Sequence, residues 1–396
     1  MDDDADTGLA SEAADVVVIG GGPAGSAVAL RLARQGLRVI QVERRIFLDP
    51  RNDHLRSGEG VLPSTRRELA TLGIDAETAP WRCSRIRQVR IYWPDGAQTT
   101  NSIARRGGII QIDREYFDYQ LFCAARQAGV DGREGWQARR FVRDARGRVS
   151  GVVVQPPAGQ PPCVLRAPIV VDAGGRNALA LRELNLRVPE ADADFFVISM
   201  FFDQVADLAA EVWEMHMFGA EQLAVVQLSR ISEGVVRCGL GMTYQAKRAA
   251  HCSPQDFFWS RIQHDPELAR RLAGSRIVHR PFVRAGLGYR VRQIAFDSLL
   301  LVGDATGYLN PLFGDGILRA LVTARRAADT VGQALRDGDC SRSALARYAR
   351  RRGTTQGIAW FAKRLLLHMH DQPRALSLLG HMPLVRRALL AALMRG

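Results

Sequence analysis

The segment Val16-Val-Val-Ile-Gly-Gly-Gly-Pro-Ala-Gly25 narrows what this chain can fold into more than any other. Four consecutive β-branched apolar residues suit a strand buried on both faces, as in a parallel sheet. Gly20, Gly22 and Gly25 then form a G-x-G-x-x-G turn into a helix opened by Pro23 and Ala24. Each glycine has its own task. Gly20 allows the tight turn, Gly22 lets the backbone approach a pyrophosphate, and Gly25 lets helix and strand pack closely. The free N–H groups and positive dipole end of the helix then favour phosphate. A second strand, over residues 38–43, ends in Glu43, which is placed to hold ribose hydroxyls. The glycine pattern alone would be weak. With a strand before it, a helix after it and an acid at the expected distance, it predicts an adenine dinucleotide site. An acid there favours FAD or NAD over NADP.

The rest of the chain reads as alternating strands and helices broken by an all-β block. Residues 64–72, 114–128, 254–273 and 317–335 carry helical patterns. Strands are expected over residues 86–93, 149–155, 169–172 and 299–302, with a hairpin tip at 156–162. From residue 193 to 244 the pattern changes to strands alone, at 195–202, 211–218, 223–228 and 235–242. Residues 51–63 form a polar loop containing His54, Arg56, Gly58 and Gly60. The expected architecture is α/β. A discontinuous Rossmann-like domain spans 14–80, 101–185 and 281–340, and an inserted, mostly antiparallel β-sheet substrate domain spans 81–100 and 186–280. A C-terminal helical segment covers 341–396, and a disordered leader covers 1–13.

Composition excludes several classes. At 396 residues the chain is too long for one simple core, and its 47% hydrophobic and 24% charged content is that of a globular protein. No apolar run approaches the ~18 residues of a membrane span. The start lacks the basic and apolar regions of a secretory signal. Six scattered cysteines show neither C-x-x-C nor metal-ligand spacing, which points to reduced thiols in the cytoplasm and to no metal. The net charge is +13, and only Lys247 and Lys363 among the basic residues are lysines. The arginines run along the whole chain instead of clustering with aromatics, which argues against nucleic acid. An acidic carrier protein and a membrane surface are the sharper readings of this excess; arginine-rich codon usage is the plain one. The stretch 376–395 has apolar stripes and basic edges. It suits a capping helix better than membrane-surface contact.

Two further motifs complete the pattern. After the 299–302 strand come Gly303-Asp304-Ala-Thr-Gly307 and Asn310-Pro311-Leu-Phe-Gly314-Asp315-Gly316-Ile317. An acid at a strand end can bind polyol hydroxyls. Glycines before a long helix let backbone N–H groups approach a flat ring. Val170-Val-Asp172-Ala-Gly-Gly-Arg176 suggests another dinucleotide contact. In this order the motifs resemble the FAD-dependent aromatic hydroxylases of the para-hydroxybenzoate hydroxylase type, a superfamily that also holds the flavin-dependent halogenases and geranylgeranyl reductases. The resemblance covers residues 14–340. It implies that Gly20, Gly22 and Gly25 hold the FAD pyrophosphate and Glu43 the adenosine ribose, with Arg44 near the adenine end. It further implies that Arg114 reaches the phosphates, Asp304 the pyrophosphate–ribityl region, and Pro311 and Gly314 to Gly316 the isoalloxazine. Arg56 would sit in a mobile FAD-contacting loop.

Within the superfamily, Val171-Asp-Ala-Gly-Gly-Arg and Gly58-Glu-Gly-Val-Leu-Pro63 look most like the halogenase branch. Yet neither lysine follows the first loop, where halogenases need one. Their W-x-W-x-I-P motif is not matched by Trp213-Glu-Met-His216, and Asp315 stands where they carry small hydroxyl residues near a halide. The reductases' aromatic-F-P motif is also missing. The resemblance therefore implies a monooxygenase, whose reduced FAD and O₂ would form a C4a-hydroperoxide that oxygenates an aromatic or other organic substrate, in the manner of secondary metabolism. A reductase or dehydrogenase without oxygen insertion, and a flavoenzyme acting on a carrier- or protein-bound substrate, are the alternatives. With no second G-x-G-x-x-G, NAD(P)H must bind transiently or a partner flavin reductase must deliver electrons. Substrate contacts are expected from the β block. Trp213 and Met217 share one face of a strand there and His216 takes the other. His54, Trp213 and His216 are the candidates for catalysis.

Overall fold

A computed structural model describes residues 8–51, 58–190, 195–218, 224–232, 234–307 and 315–350, together with Leu378 and Met382. His54, Arg56, Pro311, Gly314 and most of the expected C-terminal segment lie outside the described residues, which include its first helix, Arg342–Arg350.

A six-stranded sheet runs in the order Ala295–Phe296, Leu299–Leu301, Ile169–Asp172, Val16–Ile19, Val39–Glu43, Asp131–Glu134. All neighbours are parallel except the edge hairpin of Ala295–Phe296 with Leu299–Leu301. The four apolar side chains of Val16–Ile19 are all buried, as a central parallel strand requires. After this strand the chain adds Val39–Glu43 on one side, and it later returns to add Ile169–Asp172 on the other. The order therefore reverses at Val16–Ile19. A crevice opens outside the carboxyl ends of strands at such a switch point. Helix Pro23–Ala33 packs between this sheet and the helices Arg114–Gln127 and Gly316–Asp337.

The strand block forms a seven-stranded sheet in the order Arg276–Arg284, Phe195–Asp203, Val235–Thr243, Ala224–Ser232, Val212–Phe218, Gln88–Tyr92, Gln98–Ser102. It is antiparallel apart from the parallel pair of Val212–Phe218 with Gln88–Tyr92. Alternation sorts its side chains. Phe196, Ile198, Phe202, Val226, Leu228 and Leu240 bury one face against helices Pro254–Ile262 and Pro266–Leu272, chiefly against Phe257 and Phe258. Ser253 and Asp265 cap those two helices with their side chains. The opposite face looks toward a three-stranded sheet, Gly58–Val61, Ile109–Asp113 and Cys83–Ile86. There Ser84 Oγ donates to the carbonyl of Arg230.

Two expectations need correction. Residues 81–100 do not all join the β block, because Cys83–Ile86 pairs with Ile109–Asp113 in the small sheet. Within the leader expected to be disordered, residues 10–13 form a strand. Ala10–Ala13 lies parallel to Cys163–Arg166 at the edge of a four-stranded sheet, and Glu12 takes a bidentate pair from Arg133 at 2.8 and 2.6 Å. Its four side chains are all exposed, so the backbone ladder orders it without any hydrophobic pattern. Among the described residues no helix is long and apolar enough to cross a membrane.

Phe258 is fully buried between the seven-stranded sheet and its helices. Phe258→Ala should cost about 3–5 kcal/mol in chemical denaturation. It should leave the flavin content of the folded protein unchanged, since this layer lies on the side of the sheet away from the crevice.

Candidate functional site

The glycine turn has the shape its sequence predicts. Gly20 takes a φ of +104°, and a Cβ on it would lie 2.5 Å from the carbonyl oxygen of Ala173. A Cβ on Gly25 would lie 1.9 Å from the carbonyl oxygen of Gly20, so no other residue fits. Gly22 differs, because a Cβ there would meet nothing within 4 Å among the described residues. It is also the N-cap of helix Pro23–Ala33, with no side chain capping the first turn. The open space and the uncapped N–H groups coincide, and together they form a cradle for an anion. Gly303, at φ +62°, approaches Ala24 so closely that a Cβ would sit 2.7 Å from the Ala24 Cβ, which brings the second glycine motif against the first.

Around this turn stands a chain of alternating charges. Glu43 is buried at the end of its strand. Its Oε2 accepts from the Gly21 N–H at 2.6 Å, and its Oε1 accepts from the backbone and Nε of Arg45. Arg45 also lies 3.6 Å from Asp118, and Asp118 binds Arg114 at 2.9 Å. Arg114 closes the series on Glu59 at 2.6 Å. Burial opposes the charge of Arg114, but Asp118 and Glu59 outweigh it and raise its pKa. Arg44 is exposed at the strand end. Sequence reasoning found Glu43 and Arg114 but missed Arg45, Asp118 and Glu59, which join them.

Asp172 is fully buried. Its oxygens accept the Gly174 N–H at 3.0 Å and the Ala180 N–H at 2.7 Å, so the carboxylate shapes the chain's own turn. Burial pushes its pKa up to about 6. Burial also raises Asp304, whose carbonyl accepts from the Tyr289 hydroxyl at 2.7 Å. Asp315 precedes helix Gly316–Asp337 without capping it. Among the described residues its Oδ1 is buried with no hydrogen-bond partner, and burial raises its pKa. Ile317, two residues on, is packed in the core. An uncapped helix start beside the space at Gly22 fits the pyrophosphate of an FAD, and the residues that would hold such a group are Gly20, Gly22, Gly25, Glu43, Arg114 and Asp304.

Beyond the crevice, Arg176 donates to the Ala285 carbonyl at 2.9 Å and Arg187 to that of Gly286 at 2.6 Å. Burial, with Arg176, Arg44 and Arg114 nearby, lowers the pKa of Arg284 to about 10. The rim there is strongly cationic.

The β-block candidates separate as alternation requires. Trp213 points toward the small sheet and packs with Leu62, Ile86, Val89, Ile103 and Ile109. His216 lies on the other face, away from the crevice, which corrects its candidacy for catalysis. It is 1% exposed and stacks on Tyr92 at 4.1 Å. Its Nδ1 lies 2.9 Å from Asp265 and its Nε2 3.5 Å from Glu214, which also pairs with Arg271 at 2.6 Å and Arg90 at 3.2 Å. His216 thus ties the sheet to the cap of helix Pro266–Leu272. The residues that do face the crevice side are Ser199, Gln227 and Arg237, whose guanidinium donates to Ser199 Oγ at 3.1 Å and Gln227 Oε1 at 3.2 Å. Sequence alternation showed that Arg237 opposes Val236 and Cys238, but not which face looks inward.

The model of the FAD binding domain family matches residues 13–358. Among curated proteins, the chain is 26% identical over 370 residues to the 1H-pyrrole-2-carbonyl-[peptidyl-carrier protein] chlorinase of Pseudomonas fluorescens, covering 84% of this chain and 79% of that enzyme. It is 25% identical over 374 residues to the digeranylgeranylglycerophospholipid reductase of Methanosarcina acetivorans, covering 90% and 86%. Among solved structures, the flavin-dependent brominase Bmp2 matches with a TM-score of 0.82 at 20% identity, covering 97% of this chain and 94% of that one. PqsL of Pseudomonas aeruginosa, in complex with 2-aminobenzoylacetate, matches with 0.71 at 19%, covering 92% and 98%.

Two outcomes test this geometry. Gly22→Val should fold with an unchanged far-ultraviolet circular dichroism melt yet purify without flavin. Gly25→Val, with its Cβ on the Gly20 carbonyl, should lose both flavin and melting temperature. The second concerns His216. Burial alone would lower its pKa, but hydrogen bonds to Asp265 and Glu214 reverse this and leave it above 6.5. A raised folded pKa means stability that is fully present below pH 6.5 and is lost as the pH rises through the folded value. Wild type should therefore exceed His216→Gln by about 1.5–3 kcal/mol at pH 6, with the gap narrowing at alkaline pH in parallel denaturation series.

Proposed function

The chain belongs to the FAD binding domain family, and on that premise we propose that it is a monooxygenase acting on a small organic substrate held between the flavin and the seven-stranded sheet. The bound FAD would supply the oxygen chemistry. The chain's own residues bind and orient the substrate, exclude water and manage protons.

The observation that carries this reading is the make-up of the sheet face above the crevice. Val197, Val225, Met215 and Met217 line it with the polar set Ser199, Gln227 and Arg237. Among the described residues no lysine stands on it. Lys247 instead donates to the Cys252 carbonyl at 2.6 Å and lies over Phe257, on the opposite side of the sheet. Asp315 also weighs against a halide, because a carboxylate at the start of the long helix repels an anion. Electrons would come from NAD(P)H visiting the open site or from a partner flavin reductase.

A second reading concerns how the substrate arrives. The Pseudomonas chlorinase bears in its name a pyrrole-2-carbonyl group on a peptidyl carrier protein. The cationic rim at Arg176, Arg187 and Arg284 would favour an acidic carrier presenting such a tethered group. Binding of that kind would weaken steeply as salt rises.

The test is to reduce the flavin without oxygen, mix it with O₂ and record oxygen consumption and absorbance together. The expected result is oxygen uptake that precedes the return of oxidised-flavin absorbance, with bromide leaving both traces unchanged. Simultaneous uptake and reoxidation with one hydrogen peroxide per flavin would assign the chain to reductase or dehydrogenase chemistry. Bromide-dependent kinetics would assign it to halogenation.

A further inference from the structure

Two of the passages of the chain between the six-stranded and the seven-stranded sheet are paired with each other. Residues Arg187–Pro189 lead into the strand Phe195–Asp203, and Tyr289–Val291 follow the strand Arg276–Arg284. Together they form an antiparallel ribbon, with Pro189 opposite Tyr289 and Arg187 opposite Val291. The Glu190 N–H extends the ladder to the Gly288 carbonyl at 3.0 Å, and the Glu190 carboxylate pairs with Arg290. A displacement of the large sheet is therefore felt by this ribbon.

Tyr289 is the foot of the ribbon. It is 1% exposed and packs in the core of the six-stranded sheet. The guanidinium of Arg187 lies 4.1 Å from the centre of its ring and donates to the Gly286 carbonyl at 2.6 Å. Arg176, from the turn after the strand Ile169–Asp172, donates to the preceding carbonyl, that of Ala285, at 2.9 Å. The ring therefore has a cation on its face, and the loop before it is tied down at two consecutive carbonyls. Burial and the Asp304 charge raise the pKa of the Tyr289 hydroxyl, so it stays protonated and donates.

That hydroxyl ends on the Asp304 carbonyl at 2.7 Å. Side chains from other elements hold the Gly303–Gly307 turn at three points. The Gly303 N–H donates to Thr323 Oγ1 at 3.0 Å, and the Gly307 carbonyl accepts from Arg319 at 2.7 Å. Both of these come from helix Gly316–Asp337. Tyr289 supplies the third and brings it from the ribbon. The Asp304 carbonyl also accepts the Gly307 N–H at 3.0 Å, so removing the phenol oxygen leaves it hydrogen-bonded. The turn would survive that loss with one anchor fewer.

We propose that Tyr289 is a positioning residue for the cofactor, through which the ribbon joining the two sheets fixes the turn that carries Asp304. The assignment rests on Asp304 being a contact of the FAD, and on nothing in the oxygenase reading. Thr323 and Arg319 set the two ends of the turn from within the nucleotide-binding layer. Tyr289 sets its middle from an element that continues into the seven-stranded sheet. A shift of that sheet reaches the Asp304 turn along this line, with Arg187 bracing the ring on the way.

The experiment measures the dissociation constant of FAD from the full-length holoprotein by flavin fluorescence on dilution, without reductant or substrate. Failure of the oxygenase reading therefore leaves its outcome untouched. Tyr289→Phe, which keeps the ring, should weaken FAD about fivefold. It should also alter the visible circular dichroism of the bound flavin and leave the far-ultraviolet spectrum unchanged. Arg187→Gln should weaken FAD in the same direction, and the two together should lose less than the product of their separate effects. Asp304→Ala should weaken FAD about tenfold or more, and in that background Tyr289→Phe should add no further loss. A tyrosine that merely filled the core would weaken FAD equally in both backgrounds. If Asp304→Ala fails to fold, the pair Tyr289→Phe and Arg187→Gln and the flavin dichroism decide the matter. Wild-type affinity in Tyr289→Phe, or its full loss repeated in Asp304→Ala, would overturn the assignment. Wild-type affinity in Asp304→Ala would remove the cofactor contact beneath it, and the assignment with it.

Discussion

Everything at the candidate site depends on one steric constraint, the contact between Gly25 and the carbonyl of Gly20, which leaves no room for even a methyl group. It brings the first turn of helix Pro23–Ala33 down onto the end of the central strand. Three distant parts of the chain then converge within backbone reach of that turn, and a fourth braces the last of them. Glu43 takes the Gly21 N–H, Ala173 crowds Gly20, Gly303 crowds Ala24, and Tyr289 holds the Asp304 carbonyl. The parallel sheet supplies the frame, but the missing side chains set how tightly the segments close on one another. A dinucleotide site of this kind is built as much from absent atoms as from present ones.

The seven-stranded sheet works by a second constraint, the two-residue period of a strand. A single strand, Val212–Phe218, contributes Trp213 to the packing between sheets and His216 to a buried charge cluster on the opposite side. That cluster keeps helix Pro266–Leu272 attached to the sheet, while the inner face packs on the small sheet through Trp213. Buried ion pairs of this type gain little net stability over apolar packing, and their value lies in fixing one register. Here they hold the cap of helix Pro266–Leu272 against one strand position.

Much of this was legible before any coordinates, and the reason is physical. The glycine turn, Glu43 and the Gly303-Asp304 segment encode their geometry locally, through φ angles and close approach. The strands of the β block announce themselves by alternation. What escaped was non-local. Arg45, Asp118 and Glu59 form a series only because three separate elements meet. Asp172 looks like a ligand contact in sequence, yet both its oxygens are taken by backbone N–H groups of its own turn. Arg237 sits in an alternating strand that fits either face equally well, and only the helices packed on the other side decide. His216 was misjudged for the same reason.

The short strand Ala10–Ala13 has a consequence of its own. A sheet edge exposes a row of unmet backbone donors and acceptors, which invites pairing with another molecule. Here the edge at Cys163–Arg166 is already covered by a segment whose side chains are small or acidic, fastened by Glu12 to Arg133. The covering strand adds almost nothing to the core. Its contribution is protective, because it replaces the adhesive β-rich border Cys163-Val-Leu-Arg166 with one of small and acidic residues that offers a newcomer no large apolar side chain to pack against.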